Sequence, residues 1–172
     1  NYIIYFIDFV QIILFLNSNI IIMNVLNVGD IAPDFSCKNQ YGELINLSDM
    51  KGKKIVVFFY PKANTPGCTA EACNLNDNYS RFKSDGYEII GVSADNEKLQ
   101  KNFSDKFNFG YSLLCDEDKK IIKDYGVWGT KKMYGKEYMG IIRKTFVIDE
   151  NGKIFQIIEK VKTKEHSSQI LG

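Results

Sequence analysis

The residues best able to do chemistry in this chain are four cysteines, Cys37, Cys68, Cys73 and Cys115, with one histidine, His166, and two arginines, Arg81 and Arg143. One stretch concentrates them: Tyr60-Pro61-Lys62-Ala63-Asn64-Thr65-Pro66-Gly67-Cys68-Thr69-Ala70-Glu71-Ala72-Cys73. Thr65 suits a helix N-cap and Pro66 the first helical position, so Cys68 is expected in the first turn of a helix. Unsatisfied backbone N–H groups and the positive end of the helix dipole lie there. A thiol in such a setting ionises readily and becomes a nucleophile. An isolated cysteine is by default a buried structural residue; the strand–Pro–Thr–Pro–Gly–Cys–helix context reverses that preference.

Cys73 follows Cys68 by five residues. An intact α-helix would hold the two ~140° apart around its axis and ~7.5 Å along it, a Cα separation of ~8.6 Å. A disulfide spans at most roughly 7 Å without backbone movement, so a bond between them requires the first helical turns to unwind. The spacing matches neither a C-x-x-C redox motif nor a zinc site. These residues describe a reactive thiolate whose resolving thiol is reached by local unfolding. Arg143 stands out because the other 20 basic residues, apart from Arg81, are lysines. Its rigid multi-donor fork suits pairing with a thiolate, where a lysine offers only a point charge. The remaining candidates read more plainly. Cys37 and Cys115 are expected as core thiols, Glu71 as a complement to the helix dipole, Trp128 as packing and His166 as a surface residue.

The elements that must position this loop follow from hydrophobic pattern. Ile55-Val56-Val57-Phe58-Phe59-Tyr60 is a continuous β-branched and aromatic run closed by Pro61, the mark of a central strand buried on both faces. A helix is expected over 68–83, a second buried strand over Tyr87–Ser93, and a helix capped by Asp95 running to about Phe107. Ser112–Cys115 reads as a short strand and Glu117–Tyr125 as a short helix ended by Gly126. Asn151-Gly152 closes a hairpin between Lys144–Ile148 and Lys153–Ile158, and His166–Leu171 opens a last helix. Gln40-Tyr41-Gly42-Glu43 turns an N-terminal hairpin. Strands alternating with helices, plus a late hairpin, give an α/β layered fold with a mixed β-sheet flanked by helices. Chemistry is then expected at the C-terminal end of a central strand, where residues 60–73 lie.

Composition agrees. The 172 residues carry 22 Lys+Arg against 21 Asp+Glu and are 45% apolar, which suits one compact domain. Near-zero net charge leaves no electrostatic footprint for nucleic acid. Aromatic content excludes disorder, and four cysteines are too few for a disulfide-stapled scaffold.

The segments Phe59-Tyr60-Pro61-Lys62 through Thr65-Pro66-Gly67-Cys68-Thr69 resemble the active-site loop of the peroxiredoxins. The second cysteine five residues on resembles their bacterioferritin comigratory protein, or Q-type, subfamily. Val28–Phe35 (VGDIAPDF), Tyr125–Gly129 (YGVWG) and Gly140–Asp149 (GIIRKTFVID) extend the likeness over about residues 25–170. The resemblance implies a thioredoxin-like fold and thiol-dependent reduction of hydrogen peroxide and organic hydroperoxides, a role in antioxidant defence. It implies that Cys68 is peroxidatic, that Cys73 resolves it as a disulfide, that Thr65 and Arg143 complete the catalytic set and that Pro61 shields the thiolate. No metal, haem or nucleotide cofactor is implied. Thioredoxin is the expected reductant, and a cytoplasmic monomer without stable membrane association is the expected state. Asn76 departs from the family, which commonly carries an arginine there. An alternative use of the same cysteines is a redox-sensing or client-binding protein that does not turn over rapidly.

A magnitude shows why a thiolate alone does not suffice. At pH 7 a thiol of pKa 8.5 is ~3% ionised and one of pKa 6 ~90%, a gain of at most ~30-fold. Lowered nucleophilicity takes part of that back. The larger contribution must come from charge stabilisation as the peroxide O–O bond breaks, supplied by Thr65, backbone N–H groups around Gly67-Cys68 and Arg143.

Residues 1–22 are different in texture, with 16 apolar residues and one charge, Asp8. Asp8, Gln11 and Asn17-Ser18-Asn19 interrupt the run, and a central Asp costs about 2.5–3.5 kcal/mol on insertion scales. No basic n-region precedes it. The expected organisation is a leader over 1–22 outside the working fold and one domain over 23–172; a membrane anchor or export signal is the alternative for the leader.

Overall fold

The computed structural model describes residues 25–133 and 135–172. The expectation for residues 1–22 lies outside them. Among the described residues no helix is long and apolar enough to cross a membrane.

A five-stranded mixed sheet forms the centre. Its strands are β3 (Lys54–Phe59), β4 (Tyr87–Ser93), β5 (Ser112–Cys115), β8 (Lys144–Ile148) and β9 (Ile154–Ile158), in the order β5-β4-β3-β8-β9. β3 runs parallel to β4 and antiparallel to β8, with Val57 opposite both Ile90 and Phe146. The run read as a doubly buried strand is therefore the central one, and only its first residue, Lys54, is not fully buried. Successive side chains on a strand point to opposite faces, so β3 feeds two cores. Ile55, Val57 and Phe59 pack with α4 (Lys120–Asp124), Tyr125 and Val127 on one face. Val56, Phe58 and Tyr60 pack with Cys68, Ala72 and Leu75 of α1 (Pro66–Asp77), Phe82 of α2 (Tyr79–Ser84), Phe103 of α3 (Glu97–Phe107) and Ile170 of α5 (His166–Leu171) on the other.

Two further ladders flank the sheet. β1 (Ser36–Lys38) and β2 (Leu44–Asn46) make the expected N-terminal hairpin. β6 (Trp128–Met133) and β7 (Lys136–Ile141) make an antiparallel pair that hydrophobic pattern did not announce, because its lysines and Glu137 mask any alternation. Gly135, at φ 78°, supplies its turn in a conformation costly for other residues. The hairpin delivers Ile141 to the core and sets the short connection that carries Arg143 into β8.

Helix boundaries needed three corrections. The single helix expected over 68–83 is two, broken at Asn78, whose side chain donates to the Asn74 carbonyl. α3 is capped by Asn96, whose side chain accepts from Leu99 N, and not by Asp95. Asp95 turns toward the Cys68 loop, accepting from Ala63 N at 2.7 Å and Ser93 Oγ at 2.8 Å. The helix read over Glu117–Tyr125 begins only at Lys120, with Asp116 accepting from Ile121 N and Ile122 N, and Gly126 follows it at φ 64°.

Gly91 lets the β3–β4–β5 layer close behind the Cys68 loop. A Cβ there would lie 2.7 Å from Leu113 Cδ2 and 2.8 Å from Phe58 Cζ. Gly91→Ala is expected to destabilise the fold by about 1–3 kcal/mol through overpacking. Denaturant unfolding checks this; an unchanged midpoint would contradict the packing.

Candidate active site

The chain leaves β3 at the C-terminal end, crosses Pro61 and enters α1 at Pro66. Thr65 holds the N-cap position with extended dihedrals, but its hydroxyl donates to the Lys62 carbonyl at 3.0 Å, so the capping bond expected of it is not made. Its backbone carbonyl accepts from Thr69 N at 2.8 Å and starts the helix. Asn64 takes φ 59°, a left-handed conformation that a short polar side chain tolerates. The loop is thereby fixed by its own backbone and by Asp95.

Cys68 lies in the first turn of α1, as its spacing from Pro66 requires, and is buried. Arg143 Nη2 reaches its sulfur at 3.1 Å. A Cβ on Gly67 would stand 3.4 Å from that same nitrogen, at contact distance, so the guanidinium lies close over the residue before Cys68. Cys73 is half-buried on the same helix, and burial with Asp77 nearby pushes its thiol up. All four cysteines are free, and α1 is intact between Cys68 and Cys73. Pro61 sits half-buried at the end of β3.

Two residues read as peripheral belong to this centre. Glu71, taken as a dipole complement, is fully buried and receives the Nη1 hydrogen bond of Arg143. The guanidinium thus commits one nitrogen to a carboxylate and another to the sulfur. His166, taken as a surface residue, is fully buried, with its Nε2 3.7 Å from Glu71 Oε1 and 2.8 Å from Thr145 Oγ1. Glu71 carried a signal that was overlooked: it lies on the face defined by Cys68, Ala72 and Leu75, so a carboxylate there must be buried beside a cation. His166 has no such local signal. Lys131, from β6, is a further cation near the sulfur, donating to the Ile141 carbonyl at 3.0 Å; burial and Arg143 push its ammonium down while Cys68 holds it up.

Burial pushes the Glu71 carboxyl up to about 7, although Arg143 pulls the other way. Burial and then Arg143 push the His166 imidazolium down to about 4, against the hydrogen bond to Gln169. Burial alone would lower Arg143, but Glu71 and Cys68 outweigh it and hold the guanidinium charged. The two directions for the ion pair are compatible, because desolvation dominates at Glu71 and attraction dominates at Arg143.

A cavity of about 530 Å³ lies elsewhere, and Cys68 does not line it. Cys37 and Cys115 do, beside Glu97, Asp116 and Asp118. Both are half-buried; Cys37 packs against the core as expected, while Cys115 does not. Burial and then Asp116 push Cys37 up to about 11, and burial and then Cys37 push Cys115 up to about 12, so both stay protonated near neutral pH. Trp128 packs partly buried against the core, as expected. Asn76 ties α1 to the loop between α3 and β5, accepting from Gly110 N at 2.9 Å.

The family model described as the AhpC/TSA family matches residues 28–157. Peroxiredoxin Bcp of Escherichia coli K12 is 44% identical over 149 residues, 87% of this chain and 96% of that protein. The chain belongs to the peroxiredoxins of the AhpC/TSA family. Peroxiredoxin Bcp of Bacillus subtilis is likewise 44% identical, over 146 residues. Among solved structures, the bacterioferritin comigratory protein of Xanthomonas campestris superposes with a TM-score of 0.77 at 35% identity, covering 86% of this chain and 94% of that one. The peroxidoxin BcpB of Mycobacterium tuberculosis does so with a TM-score of 0.74 at 33% identity, covering 84% and 93%. This peroxiredoxin has the thioredoxin-like fold of that group and is a thiol-dependent peroxidase.

Glu71 and His166 impose opposite pH slopes on stability. Glu71 binds its proton more tightly folded than unfolded, so its share of stability falls as pH rises from about 4.5 to about 7. His166 binds its proton less tightly folded, so its share rises with pH from about 4 to about 6.5. The two nearly cancel in the wild type. Glu71→Gln leaves His166 alone, and unfolding free energy is then expected to fall by about 1.4 kcal/mol per pH unit as pH drops through that window. Denaturation across pH 4–7 measures it; parallel curves for the two proteins would contradict the assignment.

Proposed function

We propose that Cys68 is the peroxidatic nucleophile of a two-cysteine cycle and that Cys73 is its resolving partner. The observation that carries this reading is the Arg143 Nη2–Cys68 Sγ contact of 3.1 Å at the start of a helix. A thiolate held there attacks the distal oxygen of a hydroperoxide; the O–O bond breaks, Cys68 becomes a sulfenic acid and the alkoxide or hydroxide leaves and takes a proton. Arg143, the Thr65 hydroxyl and N–H groups of the first turn supply fixed dipoles and charge where negative charge develops. Pro61 and the aromatic layer under β3 keep the sulfur dry. Alkyl peroxide reduction is attributed to the Xanthomonas campestris relative, and organic hydroperoxides together with hydrogen peroxide are the substrates assigned here.

The Cys73 thiol then attacks the sulfenic sulfur, releasing water and leaving an intramolecular disulfide, a reversible step of cysteine oxidation. α1 must unwind to allow it. Asn74, directly after Cys73, donates to Lys164 O at 2.9 Å and accepts from Ser167 N at 2.7 Å, so unwinding also strains the docking of α5. An external dithiol, thioredoxin, reduces the disulfide. The protein acts as a cytoplasmic monomer over residues 23–172, without a metal or other cofactor.

Steady-state peroxide consumption with thioredoxin and its reductase tests the cycle. Many turnovers per Cys68 are expected, with none in Cys68→Ser; a single stoichiometric oxidation would favour the sensing role. In Cys73→Ser the sulfenic acid should persist and trap with a dimedone probe. On oxidation of the wild type, amide exchange should rise across 66–74 and spread into 166–171. An oxidised protein with unchanged protection in α1 would contradict the unwinding step.

A further inference from the structure

Glu71 is the feature of this centre that the cycle above does not use. Its Oε2 accepts from Arg143, while Oε1, equally buried, accepts no hydrogen bond from any described residue. What Oε1 faces is His166 Nε2, at 3.7 Å.

The protonation of that imidazole can be read from its neighbours. Gln169 Nε2 donates to Lys160 O at 3.1 Å and Gln169 Oε1 accepts from Lys162 N at 2.7 Å, which fixes the amide's orientation. His166 Nδ1 lies 3.3 Å from the same Oε1, an acceptor, so Nδ1 carries the ring proton. Nε2 of the neutral ring is therefore bare, and the Thr145 hydroxyl donates to it at 2.8 Å. A bare nitrogen cannot donate to an ionised Oε1, but its single lone pair can pass from the Thr145 hydroxyl to a protonated Oε1.

We propose that Glu71 and His166 form a buried dyad behind Arg143, in which His166 is a positioning residue acting through Glu71. The one proton this dyad holds decides how fully the guanidinium is committed to Cys68. With Glu71 ionised, the buried group Cys68 thiolate, Arg143 and Glu71 carries one uncompensated negative charge. With the proton on Glu71 the group is balanced, and Arg143 serves the thiolate alone. Burial favours the second state by pushing Glu71 up to about 7 and His166 down to about 4. The other titratable groups facing the pair are Arg143, Lys131 behind it, Cys68 on α1 and Tyr111. Tyr111 donates to the Ala72 carbonyl at 2.8 Å, and burial holds its phenol far above neutral pH. The device rests on Cys68 being the reacting thiol.

His166 is the only histidine in the chain, so its ring nitrogens are identified by labelling without mutagenesis. The reduced full-length protein, labelled with 15N-histidine, is titrated from pH 5 to pH 9. The expected spectrum keeps a proton on Nδ1 and none on Nε2 throughout. Its shifts pass through an inflection near 7 that Glu71→Gln abolishes. Iodoacetamide alkylation of Cys68, followed over the same range, should show an inflection at the same pH, lost in Glu71→Gln. In His166→Gln, which admits water to Oε1, it should move to lower pH. A ring that itself protonates near 6.5, or an inflection that survives Glu71→Gln, would overturn the dyad. An inflection in the ring but none in alkylation would overturn its reach to Cys68. Loss of peroxide turnover with the ring inflection intact would count against the catalytic cycle and not against the dyad.

Discussion

One planar cation holds this site together. Arg143 bonds Glu71 through Nη1 and Cys68 through Nη2, and both partners are buried on the same turn of the same helix. A buried carboxylate costs several kcal/mol to desolvate unless paired. Glu71 therefore depends on the guanidinium, and the guanidinium is placed by structure remote from α1. The β6–β7 hairpin and the antiparallel pairing of β8 with β3 set where residue 143 emerges. Gly67 lies against it, and α5 closes the far side of Glu71 with His166.

That arrangement is in tension with a disulfide between Cys68 and Cys73. In the proposed cycle, the helix that carries Cys68 in its first turn keeps Cys73 out of reach, so the two halves need two conformations of one segment. α1 is built to permit this. It is short and ends at Asn78, and its hydrogen bonds to α5 and the chain entering it come from Asn74. Elements that must move are drawn from the less stable parts of a fold, while the β3–β4–β8 centre, buried on both faces, stays fixed.

Features set by neighbours in sequence were legible. Pro61, Thr65, Pro66 and Cys68 lie within one strand-to-helix turn, and the five-residue spacing to Cys73 is a property of helical geometry. β3 and β4 were visible because strands buried on both faces need unbroken apolar runs. Glu71 and His166 were misread because each looks ordinary alone. A glutamate near a helix start and a histidine near a chain end gain their meaning only when the sheet brings α1 and α5 together. The β6–β7 hairpin failed for a different reason: stabilised by its own ladder and half exposed, it has no need of an apolar alternation. Asp95 was taken for a cap because Asn96, one residue on, does that work and frees Asp95 to hold the Cys68 loop.

The account turns on the fork of Arg143 and not merely on its charge. Stopped-flow measurement of the first oxidation of Cys68 by hydrogen peroxide, in the wild type and in Arg143→Lys, separates the two. Lysine preserves the charge but cannot bond Glu71 and the sulfur at once. A rate constant at least about tenfold lower in Arg143→Lys is predicted, as for loss of a charge-stabilising donor at a reacting centre. A rate equal to that of the wild type would contradict the account.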